Sequence, residues 1–248
     1  MRDAFTHNLD DPSVTISRKE IVRKKGFIHK IYDDWYSCIK FHIPLNSKIV
    51  LELGSGAGFI KETIPGTITS DVLYLPFNDV VLDGLYLPFP ADSIDCLIMI
   101  DVFHHISNAK LFLNNAIKTL RSGGRIIMIE PWINRWSHWI FSKLHHETID
   151  ISVDGWDFDT SGPLSGANQA LPWIVFKRDR KIFEEMYPSL EIKEISPLMP
   201  LLYLLSGGFK NNLAMPAFSY SFWKKVEQGL FNNEKKGMFG LVVLEKII

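Results

Sequence analysis

The chain has 248 residues, 46% apolar and 22% charged, and its 27 Lys/Arg against 28 Asp/Glu leave a net charge of −1. That is material for one sizeable globular domain, and the near-neutral balance lacks the electrostatic footprint of a nucleic-acid binder, so no nucleic-acid partner is expected. Two cysteines, an N-terminus "MRDAFTHNLDDPS" without a signal peptide's apolar core, and a longest greasy stretch, "ISPLMPLLYLLSGG", that falls short of the ~20 residues of a membrane span and is interrupted by two prolines predict a soluble, cytoplasmic protein.

In chain order, "SRKE" sets Ser17 and Glu20 at capping-box spacing ahead of a helical pattern. After a break near Gly26, helix continues through "FIHKIYDDWYSCIKFHI". "KIVLELG" then reads as a strand that breaks into glycines and starts a helix, and "GTITSDV" as a short second strand. "DCLIMIDV" is a continuous buried strand, "NAKLFLNNAIKTLR" an amphipathic helix and "GGRIIMIEP" another strand. This alternation predicts a parallel sheet covered on both faces. Beyond Pro131 come a Trp-rich helical segment, "WINRWSHWIFSKLHHE", and a turn-rich stretch, "VDGWDFDTSGPLSGANQALPW". "KRDRKIFEEMYPSLEIKEISP" is a helix followed by a strand, and "GMFGLVVLEKII" is a final strand. The expected organisation is one domain over 1–248: helices in 1–47, a binding core in 48–131, a cap in 132–220, and a last helix and strand in 221–248.

The turn Glu52-Leu53-Gly54-Ser55-Gly56-Ala57-Gly58-Phe59 follows a strand, as nucleotide-binding turns do. It has no Gly-Lys-Ser/Thr for a triphosphate. It also misses the dinucleotide spacing G-x-G-x-x-G/A, because Phe59 stands where a small residue is needed. Glu52 just before the first glycine would repel a pyrophosphate and suits a ligand with positive charge. Asp71 ends the second strand, where open α/β sheets place a carboxylate on ribose hydroxyls. Because "LYLPF" occurs twice, at 73–77 and 85–89, Asp79 or Asp83 could share that role.

The ordered set "LELGSGAG", "SD", "DGLYLPFPADSID" and "RSGGRIIMIEP" resembles the class I S-adenosylmethionine-dependent methyltransferases, over about Lys48 to Pro131. The resemblance implies a doubly wound α/β fold with a mostly parallel seven-stranded sheet, an antiparallel last strand and a helical or loop cap. It implies S-adenosyl-L-methionine as cofactor. Glu52, Ser55 and the backbone of Gly54, Gly56 and Gly58 would hold its aminoacyl end. Asp71 would take the ribose, Val72 and Leu73 would line the ring, and Asp83 with Gly84 and Leu85 would read the adenine. Asp101 would face the methionine end and the acceptor.

His104 and His105 follow the fourth strand, where a base could act or a buried histidine could serve structure. In "LHHETID", His145 could reach towards an acceptor. A metal site there would need further ligands, and adjacent histidines on a helix point about 100° apart, so no metal is assigned. Asn168, Trp173, Arg178 and Arg180 could line an acceptor pocket or be loop residues with solvated charges. The Trp-rich segment 132–144 reads either as core packing of the cap or as a surface for membrane or lipid contact. The expected activity is methyl transfer to a small-molecule, apolar or lipid-linked acceptor. The alternative is a non-catalytic S-adenosylmethionine-binding partner or regulatory subunit. Glycine spacing and Glu52 argue against a nicotinamide-dependent reductase.

Overall fold

A computed structural model describes residues 10–144, 148–160, 162, 164, 166–208 and 215–248. Helix α1 (Pro12–Lys24) starts earlier than the capping-box reading had it: Asp11 is the N-cap, its carboxylate accepting the Ser13 N–H at 2.9 Å, and Pro12 fills the first position. Proline is favoured there because its missing N–H would be unpaired anyway. Ser17 and Glu20 therefore lie inside the helix. Helix α2 (Gly26–His42) follows the break foreseen at Gly26 and buries Phe27, Ile28, Ile31, Trp35, Tyr36 and Ile39 along one side.

Strand β1 (Val50–Leu53) opens the sheet, preceded by two backbone N–H groups, of Lys48 and Ile49, that both donate to Asp95 Oδ2 at 2.7 Å. The helix expected after the glycines is absent. One 3-10 turn, Ile60–Glu62, leads through Pro65 and Gly66 directly to β2 (Ile68–Asp71). Six residues between Gly58 and Pro65 leave no room for the three turns a stable helix commonly has. Phe59 instead packs inward against His29, at 4.1 Å between ring centroids, and Tyr36, at 5.2 Å, so α2 and this turn share one apolar cluster.

Strand β3 (Val80–Val81) is too short to have left a periodic signal. Strand β4 (Ile94–Ile100) is buried throughout, as its apolar run from Cys96 to Ile100 predicts, and α3 (Ala109–Thr119) leads to β5 (Leu120–Pro131). Then come α4 (Arg135–Leu144), a short α5 (Leu171–Trp173) that widens into a π-turn at Ile174–Arg178, and α6 (Arg180–Met186). Strand β6 (Leu190–Leu198), α7 (Leu202–Leu205), α8 (Tyr220–Leu230), α9 (Asn233–Lys236) and β7 (Phe239–Lys246) complete the described chain. No helix among the described residues is long and apolar enough to cross a membrane.

The seven strands lie in the order β3-β2-β1-β4-β5-β7-β6. The β3 to β5 half is parallel, and β7 runs antiparallel to both neighbours, with Ile127 opposite Val243 and Ile192 opposite Leu244. This is the Rossmann-like methyltransferase architecture, with β1 and β4 at the point where the strand order reverses. The segment after α4 is strapped to that end: Ala109 and Phe158 donate backbone hydrogen bonds to Trp156 and Ser107 carbonyls. In the Trp-rich segment, Trp132, Ile140 and Phe141 are buried, whereas Trp139 is 57% exposed. The core-packing reading describes most of that face.

At the carboxyl end of β5, Glu130 is completely buried. Its Oε1 accepts the N–H groups of Val102 and Phe103 at 2.9 and 2.7 Å, and its Oε2 lies 2.9 Å from His104 Nδ1. The carboxylate thus holds the turn after β4. Glu130→Ala strands those donors in the core, at roughly 1–3 kcal/mol for each unmet group. A loss of about 3–5 kcal/mol in chemical denaturation is expected, with a smaller loss for Glu130→Gln, which keeps one acceptor oxygen; equal losses for the two would refute the role given to this carboxylate.

Candidate functional site

A crevice of about 490 Å³ opens at the tips of β1, β2 and β4, within the range of small-molecule sites. Every residue expected to hold the cofactor, except Gly58 and Leu73, lines it: Glu52, Gly54, Ser55, Gly56, Asp71, Val72, Asp83, Gly84, Leu85 and Asp101. Gly58 sits just behind, with its N–H donating to the Ser55 carbonyl at 2.8 Å and no room for a side chain against the Tyr36 hydroxyl. Gly54 has φ +62°, and an added Cβ would lie 2.5 Å from a Val102 methyl, so only glycine makes this corner without displacing the β4 exit.

The acids are held in different ways. Glu52 is 2% exposed, and its Oε2 has no hydrogen-bond partner. Burial pushes its carboxyl up to about 7 and nearby Asp71 adds to this, against a hydrogen bond from Ser55 and the charge of Lys19. Asp71 is 5% exposed, with Oδ2 accepting the Gly56 N–H at 3.0 Å and Oδ1 the Leu73 N–H at 2.9 Å. Burial raises its carboxyl, opposed by those backbone donors. Each oxygen retains a second lone-pair direction for a ligand hydroxyl. Asp83 is exposed at the rim, with Oδ1 accepting the Leu85 N–H at 2.8 Å.

The repeated "LYLPF" does not shift the register. Asp79 accepts from the Thr69 N–H at 2.8 Å and Oγ1 at 3.0 Å and pairs with Lys61 at 2.6 Å, joining β2 to β3 away from the crevice. Asp101 takes a left-handed backbone at φ +59°, which is uncommon for a residue with a side chain and marks functional turns.

The two histidines part company. His104 is 1% exposed and is not among the lining residues; its ring lies between Glu130 and Asp101, with Nε2 4.0 Å from Asp101 Oδ1. His105 does line the crevice, and its Nδ1 lies 3.0 Å from the Gly166 carbonyl. A base at His104 thus meets a buried ring set behind Asp101 and behind His105, whose ring centroid lies 4.2 Å away. His145 lies outside the described residues, as do His146 and Glu147. Among the described residues no His/Cys/Asp/Glu cluster could hold a metal.

The stretch between α4 and α5 brings Thr160, Gly162 and Leu164 to the crevice. Asn168, Arg178 and Arg180 do other work: Asn168 hydrogen-bonds Asp150 on both its N–H and carbonyl, Arg178 pairs with Asp179, and Arg180 pairs with Glu184. Sequence reasoning missed the contribution of α1 and α2, which supply Thr15, Arg18, Tyr32 and Tyr36. Only the i, i+3 spacing of Thr15 and Arg18 hinted at a shared face. Burial drives the Tyr32 phenol far above its usual range, with Asp101 and Glu52 adding to this and Arg18 opposing it.

The fit to a phosphate-free, positively charged nucleoside rests on these atoms. An unpaired buried carboxylate oxygen at Glu52 suits an ammonium, a carboxylate at a strand tip suits ribose hydroxyls, and no phosphate-binding lysine is present in the turn.

Residues 51–128 match the family described as "Methyltransferase domain". The ubiquinone/menaquinone biosynthesis C-methyltransferase UbiE of Cellvibrio japonicus is 29% identical over 76 residues, covering 31% of this chain and 26% of that protein. The match therefore spans about a quarter of that relative's length. Among solved structures, geranyl diphosphate C-methyltransferase from Streptomyces coelicolor aligns with a TM-score of 0.53 at 10% identity, over 93% of this chain and 84% of that one. A methyltransferase in complex with the Haloferax volcanii Trm112 activator aligns with a TM-score of 0.52 at 16% identity, over 92% and 93%. At those identities the structural likeness concerns the fold. Matched core, strand order and glycine turn agree: residues 51–128 match the methyltransferase-domain family, and the fold is the Rossmann-like methyltransferase fold.

Proposed function

We propose that the protein transfers the methyl group of S-adenosylmethionine to a small, largely apolar acceptor, working as one unit with residues 132–220 as the acceptor-side cap. The observation that carries the cofactor half is the buried, unpaired Glu52 oxygen beside a lysine-free glycine turn. The cofactor, when bound, supplies a methyl group on a positively charged sulfur, open to in-line displacement.

In this reading Glu52 accepts from the ammonium, while Ser55 and the backbone of Gly54, Gly56 and Gly58 surround the aminoacyl end. Asp71 accepts the two ribose hydroxyls, Val72, Gly84 and Leu85 flank the ring, and Asp83 accepts from the adenine amine. Asp101 faces the reacting end. Ile100, Ile106 and Leu164 give the crevice apolar wall, which supports an apolar acceptor. A carbon acceptor accords with the name of the UbiE relative, and methylation at activated carbon has less need of a base than methylation at oxygen. His104 is then a positioning residue that steadies Asp101 from behind, braced by Glu130. Lipid contact through 132–144 reduces in this reading to the exposed Trp139.

The experiment that separates transferase from non-catalytic binder is incubation with methyl-labelled cofactor and fractionated small-molecule extracts. Label in an organic-soluble product is expected; label that stays with the cofactor in every fraction favours the binder. Asp71→Ala should weaken S-adenosylhomocysteine binding in calorimetry by roughly 1–3 kcal/mol, and an unchanged affinity removes Asp71 from the site.

Glu52 gives a pH signature. Its titrating neighbours are Lys19 on α1, Tyr32 and Tyr36 on α2, and Asp71 on β2. An ammonium favours the ionised form, so affinity should fall as pH drops below about 7. Glu52→Gln should bind more weakly and lose that slope between about pH 5.5 and 7; a retained slope means another group titrates. Without ligand the sign reverses. The folded carboxyl holds its proton up to about 7 against an ordinary 4.5, so its contribution to stability is full below 4.5 and is lost as pH rises through 7.

A further inference from the structure

We infer that the outward side of α8, continued by Trp139 of α4, is a docking face for an anionic lipid bilayer. None of its residues lines the crevice, so the inference is independent of what the crevice binds.

Three observations carry it. The first is how α8 is held. The Tyr220 hydroxyl donates to Asp34 Oδ2 at 2.7 Å, Lys224 pairs with the same oxygen at 2.6 Å, and the buried Glu227 accepts the Leu201 and Leu202 N–H groups at 2.7 and 2.8 Å. Spaced by four and then three residues, these side chains turn one side of the helix inward. At about 100° per residue, Phe222, Lys225 and Gly229 stand on the opposite side. Charged and hydrogen-bonded contacts therefore fix which side faces out.

The second is what that side carries. Phe222 is 62% exposed, Phe218 on the preceding 3-10 turn (Ala217–Ser219) is 88% exposed, and Leu230 at the helix end is 75% exposed. One exposed apolar residue is ordinary, but large ones gathered on one face mark an interaction surface. The row continues beyond the helix. The Phe231 ring lies 6.5 Å from Trp136, which stacks at 6.2 Å on the exposed Trp139.

The third is charge. Residues 135–144 and 215–236 hold six Lys/Arg and two acids, in a chain that has 27 and 28. One of those acids, Glu227, is turned inward, while Arg135, Lys143, Lys225, Lys235 and Lys236 are exposed. Arg135, Trp139 and Lys143, each four apart, share one side of α4. Lys236 Nζ lies 5.0 Å from the Phe231 ring centroid and 5.9 Å from that of Trp136. Aromatic and aliphatic groups set among basic side chains suit the headgroup level of a bilayer, with the rings at the acyl boundary and the cations on lipid phosphates. A second copy of the chain would bring the same positive charges against each other, which disfavours self-association through this face.

The test is co-sedimentation of the full chain with vesicles of phosphatidylcholine alone and of phosphatidylcholine and phosphatidylglycerol in equal parts. Binding to the mixed vesicles should be at least about tenfold tighter than to the neutral ones, and should weaken as salt is raised. Phe218→Ser with Phe222→Ser should lose about tenfold or more on mixed vesicles, and Lys225→Glu with Lys235→Glu should lose the preference for anionic lipid. All four side chains are exposed, so both variants should keep the Tm of the intact chain. A second measurement uses the intact chain: brominated lipid in the mixed vesicles should quench its tryptophan emission, and Trp139→Phe should remove part of that quenching. The inference is overturned by equal binding to the two kinds of vesicle, by binding to neither, by unchanged binding of the phenylalanine variant, or by the absence of quenching. A dimer in sedimentation that the phenylalanine variant dissociates also overturns it, and gives the face to a second copy.

Discussion

A carboxylate without solvent, Glu130, holds the working end of this molecule together. It gathers backbone N–H groups from the turn after β4 and the ring of His104, and so fixes where β5 ends relative to where β4 exits. Asp101 stands between these elements in a left-handed conformation that its own side chain disfavours. The strain is sustained because the turn on its far side is held by a charged acceptor in the core, where such bonds are strong. Without that brace the crevice would lose a wall and an acid together.

The crevice is built mostly from negative groups at different depths. Glu52 is buried and raised towards neutrality, Asp71 is buried and steadied by backbone donors, and Asp83 stands at the rim. Such a set suits a ligand that is cationic at one end, hydroxylated in the middle and aromatic at the other. The positive charge facing it comes from α1, outside the strand–turn unit.

That arrangement follows from a local shortage. The stretch between β1 and β2 is too short for the helix that usually covers such a turn, and a 3-10 turn at Ile60–Glu62, followed by Pro65 and Gly66, replaces it. Phe59 fills part of the space, and α2 fills more with Tyr32, Trp35 and Tyr36. The N-terminal helices therefore serve as part of the core and as the roof of the site.

Much was legible in the residues themselves. Strands β4 and β7 carry the apolar runs Cys96–Ile100 and Leu241–Leu244, and burial on both faces requires no alternation, so run length revealed them. The glycine turn and its acids were legible because each answers a local need, a positive φ at Gly54 or a carboxylate at a strand tip. The two-residue β3 and the true start of α1 at Asp11 were not, because one is too short for a period and the other competes with a second capping pattern six residues on.

Only the tertiary structure decided which histidine meets the crevice. Adjacent residues in a tight turn point different ways, and the choice between His104 and His105 was made by Glu130, twenty-six residues away in sequence. Arg18 was equally silent in the chain: a basic residue on a helix reads as solvated surface until a glycine carbonyl forty positions on anchors its neighbour Lys19 over a crevice. Local chemistry is written in short stretches and can be read there. Which side chains converge on one point depends on contacts between distant segments, and no local pattern encodes them.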